Sequence, residues 1–303
     1  MFTGNKIGLK LCADAVGANA ERDCAFSYIG KIPTRLRDRV VPCATSSHIA
    51  QAIDAEGIVG IVTKPEHADL VPEHMGLMVS ASPQATAYAI HEYIAAIPGF
   101  QWAEFDSVVD ETAVIETGAI IAPRNVRIGA GTVVMSGAIV RERSIVRENC
   151  RIGSGTVVGC DAYEINQNIR PTMIVRQSGG VLIEKNAELL ANCTISRTAF
   201  GGFTRIGEES KLDCLVYLAH DCSIGKRVQI AACVDVSGRV VIGDDVYIGP
   251  NATISNGLTI HEGAFITMGS VVTQDVGARQ KVTGNFAIPH GKFLNFLKSI
   301  IKD

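Results

Sequence analysis

The stretch Thr204-Arg205-Ile206-Gly207-Glu208-Glu209-Ser210-Lys211-Leu212-Asp213-Cys214-Leu215-Val216-Tyr217-Leu218 opens a run in which an apolar residue returns every six positions. Ile206, Leu212, Leu218, Ile224, Ile230, Val236, Ile242, Ile248, Ile254, Ile260, Ile266 and Val272 follow one another without a slip. Two residues before each stands a small or medium-sized side chain, from Thr204 and Ser210 to Ala264 and Ser270. An amphipathic helix repeats near 3.6 and a half-buried strand at 2, so neither explains the pattern. A short strand and a sharp turn, three times per coil, repeats at six. The run predicts a solenoid with an eighteen-residue coil.

Working outward, the same register is present at Val126 and Ile128 and continues through Val134, Val140, Val146, Ile152 and Val158. Val114-Ile115 and Ile120-Ile121 predict an irregular first coil. The period breaks over residues 160–180, a polar stretch with Tyr163, Asn166, Asn168, Arg170, Arg176 and Gln177, which reads as an excursion from the column. Ile183, Leu189 and Ile195 restore the period, and Phe200-Gly201-Gly202-Phe203 interrupts it again. Counted from Ile128, these positions predict about seven coils, or a column on the order of 34 Å tall at the usual strand spacing. Residues 286–303 show helical spacing at Phe293, Leu297 and Ile300, expected to fold over the last coil. Flat-sided coils favour packing into a closed homotrimer, with clefts between subunits.

Residues 1–100 differ in texture. Gly57-Ile58-Val59-Gly60-Ile61-Val62 and Leu77-Met78-Val79 read as strands. Thr45-Ser46-Ser47 predicts a cap for a helix over His48 to Ala55, and Pro83-Gln84 opens another through Tyr93 that Pro98-Gly99 ends. Strands interleaved with helices predict a small α/β domain, here also expected to cover the first end of the column. The domain reading is thus 1–100 for the α/β unit, 101–285 for the β-helix and 286–303 for a helical cap.

With 28 Lys+Arg against 31 Asp+Glu, the net charge of -3 offers no basic field for nucleic acid. The nine cysteines follow no CxxC spacing and partly occupy inward repeat positions, as Cys150 and Cys222 do, which reads as buried thiols in a reducing compartment. The amino terminus has no apolar stretch behind a basic segment, and no run approaches bilayer length, so a cytoplasmic protein without a membrane span is expected. His48, His67, His74, His91 and His290 have no metal-ligand spacing, and no metal is expected. His261, beside inward Ile260, reads as a solvent-facing residue or as one that lines a cofactor cleft.

His220 lies two residues beyond inward Leu218, in a turn region, and one coil of eighteen residues sets Gly238 directly above or below it. An imidazole there can accept a proton near neutral pH, and a glycine amide can donate to a developing oxyanion. A plain corner histidine beside a turn glycine satisfies the same spacing. Asp213 and Asp221 are the nearest acids in sequence. Asp213 reads as a group that orients the ring or contacts substrate, or as a solvated corner carboxylate.

Motifs of the form Ile-Gly, at residues 128, 152, 206, 224, 242 and 248, resemble those of the hexapeptide-repeat acyltransferases. The segment Leu212-Asp213-Cys214-Leu215-Val216-Tyr217-Leu218-Ala219-His220-Asp221-Cys222-Ser223-Ile224-Gly225, with Ile230-Ala231-Ala232 and Val236-Ser237-Gly238, resembles the active-site segment of the UDP-3-O-acylglucosamine N-acyltransferases of lipid A synthesis. This resemblance implies a left-handed parallel β-helix working as a trimer, with His220 as general base and Gly238 as oxyanion amide. It also implies uridine binding by aromatics of the N-terminal domain, with Phe26 at one expected place. The accompanying tyrosine is missing from Pro33-Thr34-Arg35-Leu36, and Tyr28 is the candidate substitute.

The resemblance implies contacts of Gly284 and Asn285 with a pantetheine arm, where a capping turn is the other reading, and Arg279 and Lys281 add positive charge that meets phosphates or solvent. Relatives using acyl carrier protein end in a longer helical bundle than this sequence shows. The resemblance therefore points to acyl-CoA, acetyl-CoA included, as co-substrate with a short acyl group, no tightly bound cofactor, and a surface-polysaccharide precursor as product. The expected activity is transfer from a thioester to the amine of a UDP-linked amino sugar. Transfer to a sugar hydroxyl, carrier-protein-dependent lipid A N-acylation and a non-enzymatic nucleotide-sugar-binding β-helix are the competing readings.

Overall fold

The computed structural model describes residues 1–300 apart from 168–170, 285, 286 and 288. From Val108 onward the chain winds as a left-handed parallel β-helix, mostly two-residue strands with one side chain inward and one outward. Tyr217 and Leu218 pair in parallel with Asp235 and Val236, and these with Thr253 and Ile254, each step eighteen residues. The three faces hold eight, nine and eight strands. Leu218, Val236 and Ile254 stack along the axis, all fully buried. Each such side chain contributes about 1.5–3 kcal/mol relative to exposure.

The corners explain how a strict hexad can turn so sharply. Leu215, Asp221, Arg227, Cys233, Arg239, Asp245, Asn251, Gly257, Gly263 and Gly269 all have φ between 54° and 74°. One left-handed residue therefore recurs every six positions. The backbone reverses there, and non-glycine residues accept a local cost of roughly 1–2 kcal/mol. The residue just before each of these, the place of His220 and of Gly238, is thus held at a corner.

Interruptions in the hexads become insertions in the pairing. Val157 pairs with Thr194, 37 residues on instead of 18, an insertion of nineteen. Thr194 pairs with Tyr217, 23 residues on, an insertion of five. The excursion carries a small antiparallel pair, Ile165–Asn166 with Met173–Ile174, which the polar sequence did not announce. In the first coil Val114 pairs with Val133, nineteen residues on, and the extra residue explains its irregular spacing.

The N-terminal unit has a five-stranded sheet ordered Asn19–Arg22, Gly76–Val79, Ile58–Thr63, Arg39–Cys43 and Tyr28–Ile29, antiparallel only at its first pairing. Helices α1 (Leu9–Val16), α2 (Ser46–Asp54) and α3 (Pro83–Ala96) pack against it. Thr45 caps α2 by accepting from the His48 amide, as its sequence predicts. The sequence reading missed α1, because Gly8 provides no side-chain cap.

Two expectations about the ends need correction. The N-terminal unit does not cover the first coil, where the inward-facing Val109 and Ile115, in register with Ile128 and Val134, remain exposed. Its core instead continues through Ala162, Val175, Ala199 and Phe200, so it leans on both insertions at the side of the column. At the other end α4 (His290–Ile300) forms where the spacing predicts it. None of its residues is buried, however, and Phe293, Phe296 and Ile300 are exposed rather than folded over the last coil. No helix among the described residues is long and apolar enough to cross a membrane.

Candidate active site

The side-by-side packing of N-terminal unit and column sets the site. His220, at the corner after the strand Tyr217–Leu218, places Nδ1 2.7 Å from Asp221 Oδ2. Asp221 is fixed in turn. Its φ of 61° belongs to the corner, and its amide donates to Thr204 Oγ1 at 3.0 Å on the preceding coil. A carboxylate accepts only, so Nδ1 donates to it, and in the neutral ring Nε2 presents its lone pair. Among the described residues Nε2 has no hydrogen-bond partner.

Gly238 lies one coil on. A β-carbon there would stand 2.8 Å from His220 Nε2 and 2.9 Å from Cε1, closer than side chains approach. Its neighbour Arg239 takes the left-handed corner, with φ of 64°, so what Gly238 provides is space rather than an unusual backbone angle. Among the described residues the Gly238 amide donates to no backbone or side-chain acceptor. The edge of the His220 ring thus lies against the Gly238 backbone.

A cavity of about 360 Å³ opens over His220, lined by Lys31 and Gln84 of the N-terminal unit, Glu164 and Ile165 of the excursion, and Arg239. Tyr163 and Gln167 complete its rim. Glu164 is 6% exposed, with Lys31 Nζ 2.7 Å from Oε1 and 2.8 Å from Oε2, while the Tyr88 hydroxyl donates to Oε1. Burial works to raise the Glu164 carboxyl, but the Lys31 ammonium, with help from Tyr88 and His220, holds it below the usual carboxylate range. Burial and the Glu164 partner push the Tyr88 phenol upward.

Arg39 arranges the loop that brings Lys31 there. It is 1% exposed and donates to the carbonyls of Lys31, Ile32, Leu36 and Glu56 at 2.5 to 3.2 Å. Burial without a carboxylate partner lowers its guanidinium to about 10. A second cavity of about 420 Å³ shares Lys31 and Gln84 with the first and is walled by Pro42, His48, Gln51 and Pro83. A third, of about 360 Å³, is lined by Arg35, Asp221 and Arg239.

The structure brings together His220 and Gly238 as the spacing requires, but other site residues fall elsewhere. Phe26 is fully buried in the core of the N-terminal unit, so its ring cannot stack on a base. Tyr28 packs edge-on against Phe2, 6.2 Å between ring centres, and lines none of these cavities. Asp213 stands at the preceding corner, on a different face, where it accepts from its neighbour's amide; Asp221 is the acid that touches His220. Arg279 faces Glu262 at 3.8 Å, Lys281 lies over the Phe265 ring, and Gly284 abuts Ser270, all on the last coil and apart from His220. Asn285 lies outside the described residues. Lys31, Tyr88, Glu164 and Arg239 escaped the sequence reading, because no spacing links a loop, a helix, an insertion and a coil corner. No group of three or more His, Cys, Asp or Glu among the described residues is arranged to hold a metal ion.

The coils repeat every six residues, and residues 239–274 match the family model for the bacterial transferase hexapeptide (six repeats). Among particular proteins, the chain is similar to the UDP-3-O-acylglucosamine N-acyltransferase of Anaeromyxobacter dehalogenans. The two are 39% identical over 180 residues, which is 57% of this chain and 51% of that protein. The enzyme of the same name from Maricaulis maris is 38% identical over 95 residues, or 31% of this chain and 27% of its own. The matches thus span about half or less of these relatives. A solved UDP-N-acetylglucosamine acyltransferase of Francisella novicida aligns with 26% identity over 59% of this chain and 65% of its own, with a TM-score of 0.47.

Proposed function

We propose that this chain is an acyltransferase moving an acyl group from a thioester to the amine of a nucleotide-linked amino sugar, with His220 as general base. The observation that carries this reading is the imidazole oriented by Asp221 and seated on the open backbone of Gly238. The amine attacks the thioester carbonyl, forming the C–N bond. Nε2 takes the amine proton, and the Gly238 amide donates to the oxygen as it gains negative charge. The tetrahedral intermediate then breaks its C–S bond, and the imidazolium returns the proton to the leaving sulfur. No acyl-enzyme is required. Support for the substrate class comes from the relatives' names and from the paired cavities, one over His220 for the sugar and one beside it, within the N-terminal unit, for the nucleotide base. Acyl-CoA is the proposed donor, and a homotrimer the proposed assembly.

The test is incubation with UDP- and dTDP-amino sugars, acetyl-CoA and acyl carrier protein thioesters, read by product mass. His220→Ala is expected to lose about 10²- to 10⁴-fold in turnover while remaining folded. Unchanged turnover rejects the base, and no mass gain with any donor rejects the reaction.

A further inference from the structure

The cavity over His220 is bounded by charge and hydrogen-bonding groups on the sides away from the coil. Lys31 belongs to a loop of the N-terminal unit and Tyr88 to α3, yet both converge on the carboxylate of Glu164 in the excursion. Gln84 Nε2 donates to the Tyr88 hydroxyl at 3.0 Å and extends the group along the rim. On the coil side stands Arg239, which forms no ion pair among the described residues although it lines the same space. Glu164 is buried while Lys31 stays 31% exposed, and such a pair gains little over apolar packing in stability, because the carboxylate loses its water. This chain fills its column with Val and Ile, so apolar packing was open to it here as well. A paired charge placed instead on a cavity wall points to ligand recognition.

At about 360 Å³ the cavity sits near the lower end of the roughly 300–1,000 Å³ typical of small-molecule sites. Ring hydroxyls can exchange hydrogen bonds with Glu164, Lys31, Gln84 and Arg239. An alkyl chain in the same space would strip these groups of water without replacing its hydrogen bonds. We infer that the Lys31–Glu164–Tyr88 cluster is the acceptor-recognition wall and selects a compact amino sugar with free ring hydroxyls over one already carrying a fatty acyl chain. The inference rests on acyl transfer at His220. It separates this site from the relatives, whose name specifies a 3-O-acylated glucosamine acceptor.

The experiment compares a UDP-linked amino sugar with free hydroxyls against its 3-O-tetradecanoyl counterpart, using the full chain. Binding is read by calorimetry, and turnover with acetyl-CoA and carrier-protein thioesters. The free sugar is expected to show about 100-fold higher kcat/KM. Glu164→Gln is expected to raise KM for it roughly tenfold with kcat little changed, and Gln84→Ala, at an exposed position, to raise it in the same direction. Equal or better use of the acylated sugar overturns the inference, as does an unchanged KM in both variants. If neither sugar is turned over but the free one binds, more weakly in Glu164→Gln, the recognition stands and the transfer reading falls. Absence of binding by either sugar sinks both.

Discussion

The His220 ring rests on Gly238: its Nε2 lies 2.8 Å from where a β-carbon on that residue would sit. The eighteen-residue coil places one corner over the next, and only a residue without a side chain leaves room for an imidazole between them. Gly238→Ala keeps the N–H but displaces the ring. Turnover is expected to fall by about 100-fold or more, through lost alignment of base and amide. The measurement is steady-state kinetics beside a thermal melt. An active alanine variant would show that the ring can move without cost, and that the contact is packing only.

Asp221 gives a second handle on the same ring. Asparagine tolerates the left-handed corner, so Asp221→Asn is expected to fold normally. Its amide can offer an N–H to Nδ1, which favours the tautomer with the proton on Nε2 and removes the lone pair needed there. A drop of about 10²- to 10⁴-fold in kcat with KM little changed is expected. A variant retaining full kcat would detach Asp221 from the chemistry.

The column was legible in the sequence because its period is one-dimensional: one coil repeats one pattern, and Ile206 to Val272 state it twelve times. His220 and Gly238 were legible for the same reason, as eighteen residues is one coil. What the sequence hid lies across the insertions. Glu164 meets Lys31 across a sequence separation of 133 and Tyr88 across one of 76, contacts set by how the N-terminal unit leans on residues 162, 175, 199 and 200. The resemblance misled at Phe26, because an aromatic at the expected place can serve a core as readily as a ligand. It left Asp221 and Asp213 undecided, because only coordinates separate adjacent corners of a triangle.

The reassignment of Phe26 has its own test. Its ring is enclosed by the core that includes Leu9, Val40, Met78 and Ile90. Phe26→Ala is expected to cost about 3–5 kcal/mol of folding stability in urea denaturation. Phe26→Leu preserves most of the volume and is expected to leave uridine nucleotide affinity within about threefold, since a ring without exposed surface makes no direct contact. Loss of nucleotide binding in a stable leucine variant would return Phe26 to the site.

The excursion is held from below by His91, which makes stability depend on pH. His91 is fully buried, and its Nε2–H donates to the Arg176 carbonyl at 2.8 Å, while Nδ1 has no partner among the described residues. Burial lowers its proton affinity below the ordinary 6.5, outweighing the carbonyl bond and the carboxylates of Glu92 and Glu164. The unfolded chain therefore takes up a proton before the folded one does. The contribution of the neutral ring is complete above pH 6.5 and declines as pH falls toward the folded value, by up to about 1.4 kcal/mol per pH unit. His91→Phe can still pack against Phe200, whose ring centre lies 4.9 Å away, but leaves the Arg176 carbonyl without its donor. It is expected to cost about 1–3 kcal/mol at pH 7.5 and to flatten the decline between pH 6.5 and 5.5. Urea titrations at a series of pH values read both effects, and a slope that persists in the variant would assign the acid sensitivity to another group.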